Sequence, residues 1–273
     1  MKINATTDLY ALLGNPVSHS LGPAMHNAVF SHLGYDGVYL AFNVIDIGQA
    51  ISSVRALGIK GVSITIPHKV GVMPFLDEIE ADALKIGAVN TVTNNRGILT
   101  GYNTDCAGAL RALSEQAGIN GKDVVILGAG GAARAIGFGI ISRGGRLTIA
   151  NRTRDRGQAL ADDLKAVFCP LAEVHHAACQ ILINTTPVGM TPDIREMPVA
   201  KSFLKKYMLV MDIVYNPLKT RLLREAEDAG SRVVDGVSMF VYQGAVQSEL
   251  WTGQKAPVRL MRRVVIDRLK MNS

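Results

Sequence analysis

The sequence is poor in cysteine and in aromatic residues and has no long unbroken apolar run, and each shortage narrows the class of protein. Its three cysteines, Cys106, Cys169 and Cys179, form no C-x-x-C pair, which argues against a zinc site and predicts a reducing, cytoplasmic setting without a structural disulfide. The most apolar segment, 132–141, contains Arg134 and glycines, so we predict no membrane span. The N-terminus lacks the basic and apolar regions of a signal peptide. We predict no metal in the functional site.

Positive charge is in excess, but it forms no block of consecutive basic residues. The formal net charge is +6, which would suit a nucleic-acid ligand and equally suits an enzyme that attracts anionic substrates and cofactors. The last helical pattern, 257–270, has apolar residues on one face and arginines on the other. This pattern is typical of a docked helix with a solvated face. We therefore predict a small-molecule substrate, no nucleic-acid or membrane partner, and a monomer or homodimer.

The stretch from Val124 to Arg156 predicts a strand, a glycine turn, a helix and a second strand. An apolar run ends in Gly128-Ala129-Gly130-Gly131, and an alanine-rich helical pattern follows from Ala132. The first glycine permits a tight turn, the second lets the backbone approach a pyrophosphate, and the helix N-terminus offers unpaired N–H groups to an anion. A glycine turn alone is weak evidence, since it also fits a buried crossover without a ligand. Its place between two apolar strands favours a nucleotide site.

The end of the second strand distinguishes between the two nicotinamide nucleotides. A carboxylate there would bind the ribose hydroxyls of NAD, but the sequence is Asn151-Arg152-Thr153-Arg154-Asp155-Arg156. Guanidinium groups pair bidentately with phosphate, which favours NADP through its 2′-phosphate, with Arg152 and Arg156 as the candidates. A solvated basic loop is the alternative interpretation.

Strand and helix patterns alternate along the rest of the chain, which is typical of parallel sheets in α/β proteins. Further strands are predicted at 9–13, 38–42, 59–66, 88–93, 97–100, 181–183, 207–213 and 232–234. Further helices are predicted at 24–33, 47–57, 77–86, 105–117, 156–164, 220–229, 237–250 and 257–270. Because the alternation continues on both sides of Gly101, two sheets are favoured over one.

Polar residues converge on the edge where open α/β sheets bind ligands. Ser18, Ser20, Thr65, Lys69 and Tyr215 follow predicted strands. Asn90 lies on the strand 88–93, Asp105 opens the helix 105–117, and Gln243 lies on the helix 237–250. Together they suit a small polyhydroxylated acid, with Lys69 able to move a proton and Asp105 able to orient it. Taken singly, each has an ordinary structural interpretation as a turn residue, a surface lysine or a helix cap. His68, next to Pro67, is predicted to be structural.

In combination, these residues resemble the shikimate dehydrogenase family, and the likeness runs through nearly all 273 residues. The segments that carry it are 14–16 with 19–20, 65–69, 88–91, 101–105, 128–135, 151–153, 184–190, 243–245 and 251–253. The resemblance implies NADP-dependent, reversible reduction of 3-dehydroshikimate to shikimate on the way to chorismate and aromatic amino acids. It implies a two-domain α/β fold with a cleft between the domains. Residues 1–104, completed by helices in 237–273, would bind substrate, and residues 105–236 would form a Rossmann-like NADP-binding domain.

The resemblance also implies a role for each candidate residue. Lys69 would be the acid/base residue and Asp105 its partner, while Thr65, Asn90, Asp105 and Gln243 would hold ring hydroxyls. Ser20 and Tyr215 would contact the carboxylate, with Ser18 as a further candidate. The candidate cofactor contacts are Gly128, Ala129, Gly130, Gly131, Ala132, Asn151, Arg152, Thr153, Arg156, Thr186, Val214, Gly236 and Met239.

Two departures from the family pattern concern the substrate. The family usually has serine where this chain has Gly22, so Ser18, a water molecule or a wider pocket would have to compensate. The usual asparagine before the Thr65 segment is Ser63, a shorter donor. A glycine at position 22 could admit the extra hydroxyl of quinate, so a quinate/shikimate dehydrogenase is the first alternative. A non-catalytic nucleotide or metabolite sensor is the second, and the presence of Lys69 and Asp105 argues against it.

Overall fold

The computed structural model describes residues 3–206 and 208–271. Its strands are β1 (Asp8–Gly14), β2 (Gly37–Asn43), β3 (Gly61–Ile64), β4 (Glu78–Ile79), β5 (Thr91–Asn95), β6 (Ile98–Tyr102), β7 (Asp123–Leu127), β8 (Arg146–Asn151), β9 (Val167–Pro170), β10 (Ile181–Asn184), β11 (Leu209–Asp212) and β12 (Arg232–Val234). Its α-helices are α1 (Gly22–Leu33), α2 (Ile47–Ala56), α3 (Ala81–Ile86), α4 (Thr104–Ser114), α5 (Gly131–Ser142), α6 (Arg154–Leu164), α7 (Arg221–Asp228), α8 (Gly236–Thr252) and α9 (Val258–Met271). The alternating α/β character predicted from the sequence is confirmed.

The chain divides into two compact units, each with one six-stranded sheet. The first unit consists of the chain up to Thr104 together with Gln243–Arg268. The second consists of Asp105–Tyr242 together with the residues from Leu269 onward. Helix α8 begins in the second unit and ends in the first. The assignment of substrate and cofactor to these units stays a prediction.

The sheet of the first unit has the strand order β2-β1-β3-β5-β6-β4 and is mixed. Strand β5 runs antiparallel to both β3 and β6, which departs from the parallel pairing that alternating strands and helices favour. The cause is the short turn at Arg96 and Gly97, which have φ of 52° and 93°. A two-residue turn of this type can join only antiparallel neighbours. The strands predicted at 88–93 and 97–100 put the turn two residues earlier, around Asn94-Asn95, and Asn90 precedes β5 instead of lying within it.

The predicted helix at 77–86 was wrong in its first half. Glu78–Ile79 forms β4, which pairs in parallel with Thr100 and Gly101 of β6. The helix begins only at Ala81, because the Glu80 carboxylate accepts hydrogen bonds from the first free N–H groups, 2.9 Å from that of Asp82. An acidic stretch is compatible with a helix start, and here it begins one turn later than the apolar spacing indicated.

The sheet of the second unit has the order β12-β11-β10-β7-β8-β9 and is parallel throughout. This is the predicted Rossmann-like arrangement, with an additional strand, β9, that was not predicted. Val124 and Ile126 pack into one apolar cluster, and Val125 and Leu127 pack into another on the opposite face. A parallel sheet with both faces covered needs such continuous apolar strands. The strand predicted from Tyr207 starts at Leu209, and Tyr207 itself lies outside the described residues.

The same alternation holds in β1, where Ala11 and Leu13 pack on one face and Tyr10 and Leu12 on the other. Among the residues that the structure describes, Cys106, Cys169 and Cys179 form no disulfide, and each is half-buried. Within the two ranges that the structure describes, no helix has the length and apolar character needed to cross a membrane.

Candidate functional site

The glycine turn after β7 has the geometry of an anion cradle. Gly128 adopts φ of +111°, and a Cβ at that position would lie 2.6 Å from the Thr185 Oγ1, so only glycine fits. A Cβ at Gly130 would meet nothing within 4 Å, which leaves the backbone open to a ligand. Helix α5 starts at the next residue, and no side chain of the described residues caps its N-terminus. The open backbone and the uncapped N–H groups fit a pyrophosphate.

The basic cluster follows directly at the end of β8. The Asn151 side chain donates to the backbone oxygen of Thr153 at 2.8 Å and shapes the turn into α6. Arg152 and Arg156 are exposed, and neither has a salt-bridge partner within 3–206 and 208–271. Arg154 differs, since its guanidinium stacks over the ring of Phe168 at 5.8 Å. The guanidinium groups of Arg152 and Arg156 fit a terminal phosphate on the ribose.

A buried carboxylate, which the sequence reasoning missed, organises the loops that follow β10 and β11. Asp212 accepts hydrogen bonds from Asn184 Nδ2 at 3.0 Å, from the Val214 N–H at 3.0 Å and from the Thr220 hydroxyl at 2.7 Å. Asn184 Oδ1 in turn accepts from the N–H and the hydroxyl of Thr186. The two predicted cofactor contacts Thr186 and Val214 are therefore held by one network. Burial raises the pKa of Asp212 to about 6, although its three donors oppose the shift.

Three further candidates lie at the start of α8 and beside it. A Cβ on Gly236 would lie 2.4 Å from the backbone oxygen of Val214, so the close approach of two backbones requires glycine there. Met239 is buried in the apolar cluster of the second unit. The ring of Tyr215 packs against Phe240 with centroids 4.8 Å apart. Burial raises the pKa of Tyr215 to about 12, so its phenol is a neutral hydrogen-bond donor at physiological pH.

In the first unit, the loops after β1 and β3 lie side by side. The Asn15 N–H donates to the Ile66 oxygen at 2.9 Å, and a Cβ on Gly14 would lie 2.2 Å from the Thr65 methyl carbon. The loop after β1 then turns back, and the hydroxyl of Ser20 accepts from the Gly22 N–H at 3.1 Å. Ser20 is half-buried, whereas Ser18 is exposed. Glycine at position 14 thus lets Thr65 approach the loop that carries both serines.

Lys69 lies on the loop after β3 and is half-buried. Its backbone oxygen accepts from the Val89 N–H at 2.8 Å, which ties this loop to the segment before β5. His68 is buried, and its Nε2 lies 2.8 Å from the Val44 oxygen. Since a carbonyl oxygen only accepts, Nε2 carries the proton, and the side chain is used to hold two loops together, as predicted.

Asn90 is the centre of a buried polar cluster in the first unit. Its Oδ1 accepts from the Thr104 N–H at 2.8 Å and from the Thr91 hydroxyl at 2.8 Å, while its Nδ2 donates to the Thr104 hydroxyl at 3.0 Å. The Thr104 hydroxyl lies 3.4 Å from Gln243 Oε1. Asp105, the next residue in the chain, is buried in the first turn of α4 and begins the second unit. Two predicted substrate ligands, Asn90 and Gln243, are thereby connected.

The two departures noted in the sequence lie beside the same tyrosine. A Cβ on Gly22 would lie 3.3 Å from Ser20 Oγ, 3.4 Å from Tyr39 Cε1 and 3.5 Å from the Tyr39 hydroxyl. That hydroxyl donates to Ser63 Oγ at 2.8 Å. The space beside Gly22 is therefore bordered closely by Ser20 and Tyr39. No sequence pattern had singled out Tyr39, because it occupies an ordinary apolar position of β2.

Comparison with known proteins finds shikimate dehydrogenase relatives that match nearly the whole chain. A family model for the shikimate dehydrogenase substrate binding domain matches residues 12–92. Models for shikimate / quinate 5-dehydrogenase and for the shikimate 5'-dehydrogenase C-terminal domain match residues 111–218 and 236–266. The shikimate dehydrogenase (NADP(+)) of Geobacillus kaustophilus is 46% identical over 272 residues, which cover 96% of this chain and 99% of that protein.

Two crystal structures show the same fold. A shikimate dehydrogenase in complex with NADP+ superposes with a TM-score of 0.94 and 42% identity, covering 98% of each chain. The shikimate 5-dehydrogenase of Thermus thermophilus, in complex with NADP(H) and shikimate, superposes with a TM-score of 0.89 and 36% identity, covering 96% of this chain and 99% of that one.

Proposed function

The chain belongs to the shikimate dehydrogenase family, and from that membership we propose that it catalyses the reversible, NADP-dependent reduction of 3-dehydroshikimate to shikimate. This reaction is a step of chorismate and aromatic amino acid biosynthesis. The observation that carries the proposal is that relatives named for this enzyme match nearly the whole chain at 42–47% identity. We further propose a cytoplasmic enzyme that is a monomer or a homodimer.

The second unit would hold the cofactor. When bound, NADP supplies or accepts the hydride at its nicotinamide ring. Backbone N–H groups in 128–132 would bind the pyrophosphate, and Arg152 and Arg156, with Asn151 and Thr153 beside them, would bind the 2′-phosphate. Thr186, Val214, Gly236 and Met239 would line the nicotinamide end. The open backbone at Gly130 and the two exposed arginines support this assignment.

Lys69 would give a proton to the carbonyl oxygen during reduction and take it back during oxidation, and Asp105 would hold its ammonium group. A run of contacts in the first unit supports this pair. The backbone of Lys69 binds Val89, the next residue Asn90 binds Thr104, and Asp105 follows Thr104 in the chain. General acid–base catalysis by such a group typically contributes about a hundredfold to ten-thousandfold in rate.

The remaining polar residues would orient the substrate. Thr65, Asn90, Asp105 and Gln243 would bind ring hydroxyls, while Ser20, Tyr215 and Ser18 would bind the carboxylate. The hydrogen bonds that already hold Asn90 support its role, because a preorganised amide loses little entropy on binding.

Use of quinate in addition to shikimate is the second candidate function. The match to a family model that covers both shikimate and quinate dehydrogenases, together with Gly22, favours it. One observation argues against a pocket that is simply wider at Gly22. Ser20 and Tyr39 closely border the space where a Cβ of residue 22 would lie.

A four-way assay tests both candidates. Initial rates are measured from the absorbance of the reduced nicotinamide, with shikimate or quinate as substrate and NADP+ or NAD+ as cofactor. We expect the highest kcat/KM for shikimate with NADP+. A comparable kcat/KM for quinate would establish the mixed enzyme. No turnover in any of the four combinations would contradict both and favour a sensor.

A further inference from the structure

Helix α8 presents three side chains to the first sheet at intervals of four residues, which places them on one face of the helix. Gln243 Oε1 lies 3.4 Å from the Thr104 hydroxyl. Gln247 lies between Ser63 and Thr91, at 3.1 Å and 2.9 Å. Trp251 Nε1 donates to the backbone oxygen of Val92 at 3.1 Å. The first of the three is a proposed substrate ligand, and the other two are buried.

The orientation of the Gln247 amide is fixed by its partners. Its Nε2 lies 3.4 Å from the Asn90 backbone oxygen, which can only accept, so the NH2 group must face that side. Its Oε1 therefore faces Ser63, and the Ser63 hydroxyl must donate to it. Tyr39 consequently donates to Ser63, because the single proton of Ser63 is already used. The donor and the acceptor of each of these three hydrogen bonds are therefore defined.

The donor-to-acceptor direction of these hydrogen bonds continues toward the proposed substrate ligands Asn90 and Gln243. Nε2 of Gln247 donates to the Thr91 hydroxyl, which then donates to Asn90 Oδ1 at 2.8 Å. With Asn90 Oδ1 also bound to the Thr104 N–H, the Thr104 hydroxyl can give its proton to Gln243 Oε1. When the side-chain oxygen of Gln243 faces Thr104, the NH2 group of the same amide faces away from Thr104.

We propose that Gln247 is a positioning residue for substrate binding, and this inference rests on the proposed function. It fixes the register of α8 against β3 and β5, and it sets the direction of the hydroxyls that orient the Gln243 amide. Gln247 is 2% exposed, and its partners are buried protein groups, so it acts through Gln243 and Asn90. It also engages the single proton of Ser63, so this serine does not offer a donor to the substrate.

The test is the variant Gln247→Met, which keeps the length of the side chain and removes its donors and acceptor. Leaving the buried Thr91 and Ser63 hydroxyls without this partner should raise the KM for shikimate about tenfold, with kcat changed less. The KM for NADP+ should stay unchanged, and a partial loss of folding would instead lower the apparent kcat without changing either KM. The matched control is Ser231→Ala in the second unit, which removes a buried hydroxyl that donates to the Lys205 backbone oxygen at 2.8 Å and to no residue of the cluster. It should leave both KM values unchanged.

A second variant keeps the inference testable if Gln247→Met folds poorly. Thr91→Val is close to isosteric and removes the hydroxyl that joins Gln247 to Asn90. It should therefore raise the KM for shikimate in the same way. Wild-type KM values in both variants, or an equal rise in the KM for NADP+, would overturn the role of Gln247 alone. A wild-type protein without activity on shikimate would overturn the proposed function and this inference with it.

Discussion

The side-chain amide of Asn184 donates to a carboxylate oxygen of Asp212 at 3.0 Å and joins the carboxyl ends of two neighbouring parallel strands. Both side chains are completely buried. The carboxylate therefore carries charge where water cannot reach it, and its neighbours Val214 and Thr220 supply the remaining donors. The free-energy cost of that buried charge depends on pH.

We expect Asp212→Asn to change the pH dependence of stability. Because the folded-state pKa is raised from 3.8 to about 6, the folded protein binds this proton more tightly than the unfolded chain does. The stabilisation is greatest below about pH 4 and is lost as pH rises to about 6, by about 3 kcal/mol at ~1.4 kcal/mol per pKa unit. Urea unfolding across this range should show wild type losing stability relative to Asp212→Asn. The exposed Asp193→Asn is the matched control, and a constant difference between wild type and Asp212→Asn would contradict the expectation.

Replacement of Lys69 by alanine should lower kcat far more than substrate affinity. Removal of the proposed proton carrier should reduce kcat by about a hundredfold or more. Steady-state kinetics with shikimate and NADP+ measure the change, and binding of shikimate alone is measured by calorimetry. Lys60→Ala is the control, because the Lys60 ammonium forms an exposed ion pair with Asp8. Wild-type turnover in Lys69→Ala would remove the acid/base assignment.

The choice of NADP over NAD should depend on Arg152 and Arg156. Serine at either position should raise the KM for NADP+ by about tenfold to a hundredfold, since a charge-assisted bond to phosphate is lost. The KM for NAD+ should not rise, because NAD+ lacks the 2′-phosphate. Arg154→Ser is the matched control from the same cluster, since its guanidinium lies over Phe168. If the KM values for the two nucleotides rise together, the arginines do not read the 2′-phosphate.

Two glycines of the same turn should respond differently to alanine. Gly130→Ala should fold with unchanged Tm, because nothing lies within 4 Å of the added methyl group, yet bind NADP+ more weakly. Gly128→Ala should lower the free energy of unfolding by about 1–3 kcal/mol, because it combines a positive φ with a contact at 2.6 Å. Thermal unfolding and NADP+ titration separate the two effects. Full NADP+ affinity in Gly130→Ala would show that the pyrophosphate does not pass over this residue.

The strand, turn and helix at 124–142 could be predicted from the sequence because their signals are local. The apolar run at Val124, the turn at Gly128 and the helix from Gly131 lie within a few residues of one another, and the structure has each of them. The helix predicted from Asp77 failed because the pairing of Glu78 with Thr100 is a tertiary contact that overrides local preference. Strand β9 was missed for a different reason, because its four-residue pattern is too short to be recognised in the sequence.

The polar cluster shows where sequence reasoning ended. Gln247 binds Thr91 across 156 positions of the chain, and no local sequence pattern near either residue predicts this contact. Asp212 could have been predicted as a buried site, because a carboxylate at the end of an apolar strand needs hydrogen-bond donors around it. The roles of the individual candidate residues stay predictions until the variants above are measured.

The first unit is assembled from two segments that are far apart in the chain, and its strands β1 and β5 contact Trp251, whose ring lies 5.3 Å from that of Tyr10. During translation, the strands β1–β6 leave the ribosome before Trp251 and lack this aromatic anchor until it has been synthesised. The continuous stretch Asp105–Tyr242, which makes up the second unit apart from the residues from Leu269 onward, does not include this anchor. We therefore expect the portion synthesised second to mature first, and the earliest residues to spend longest exposed to chaperones.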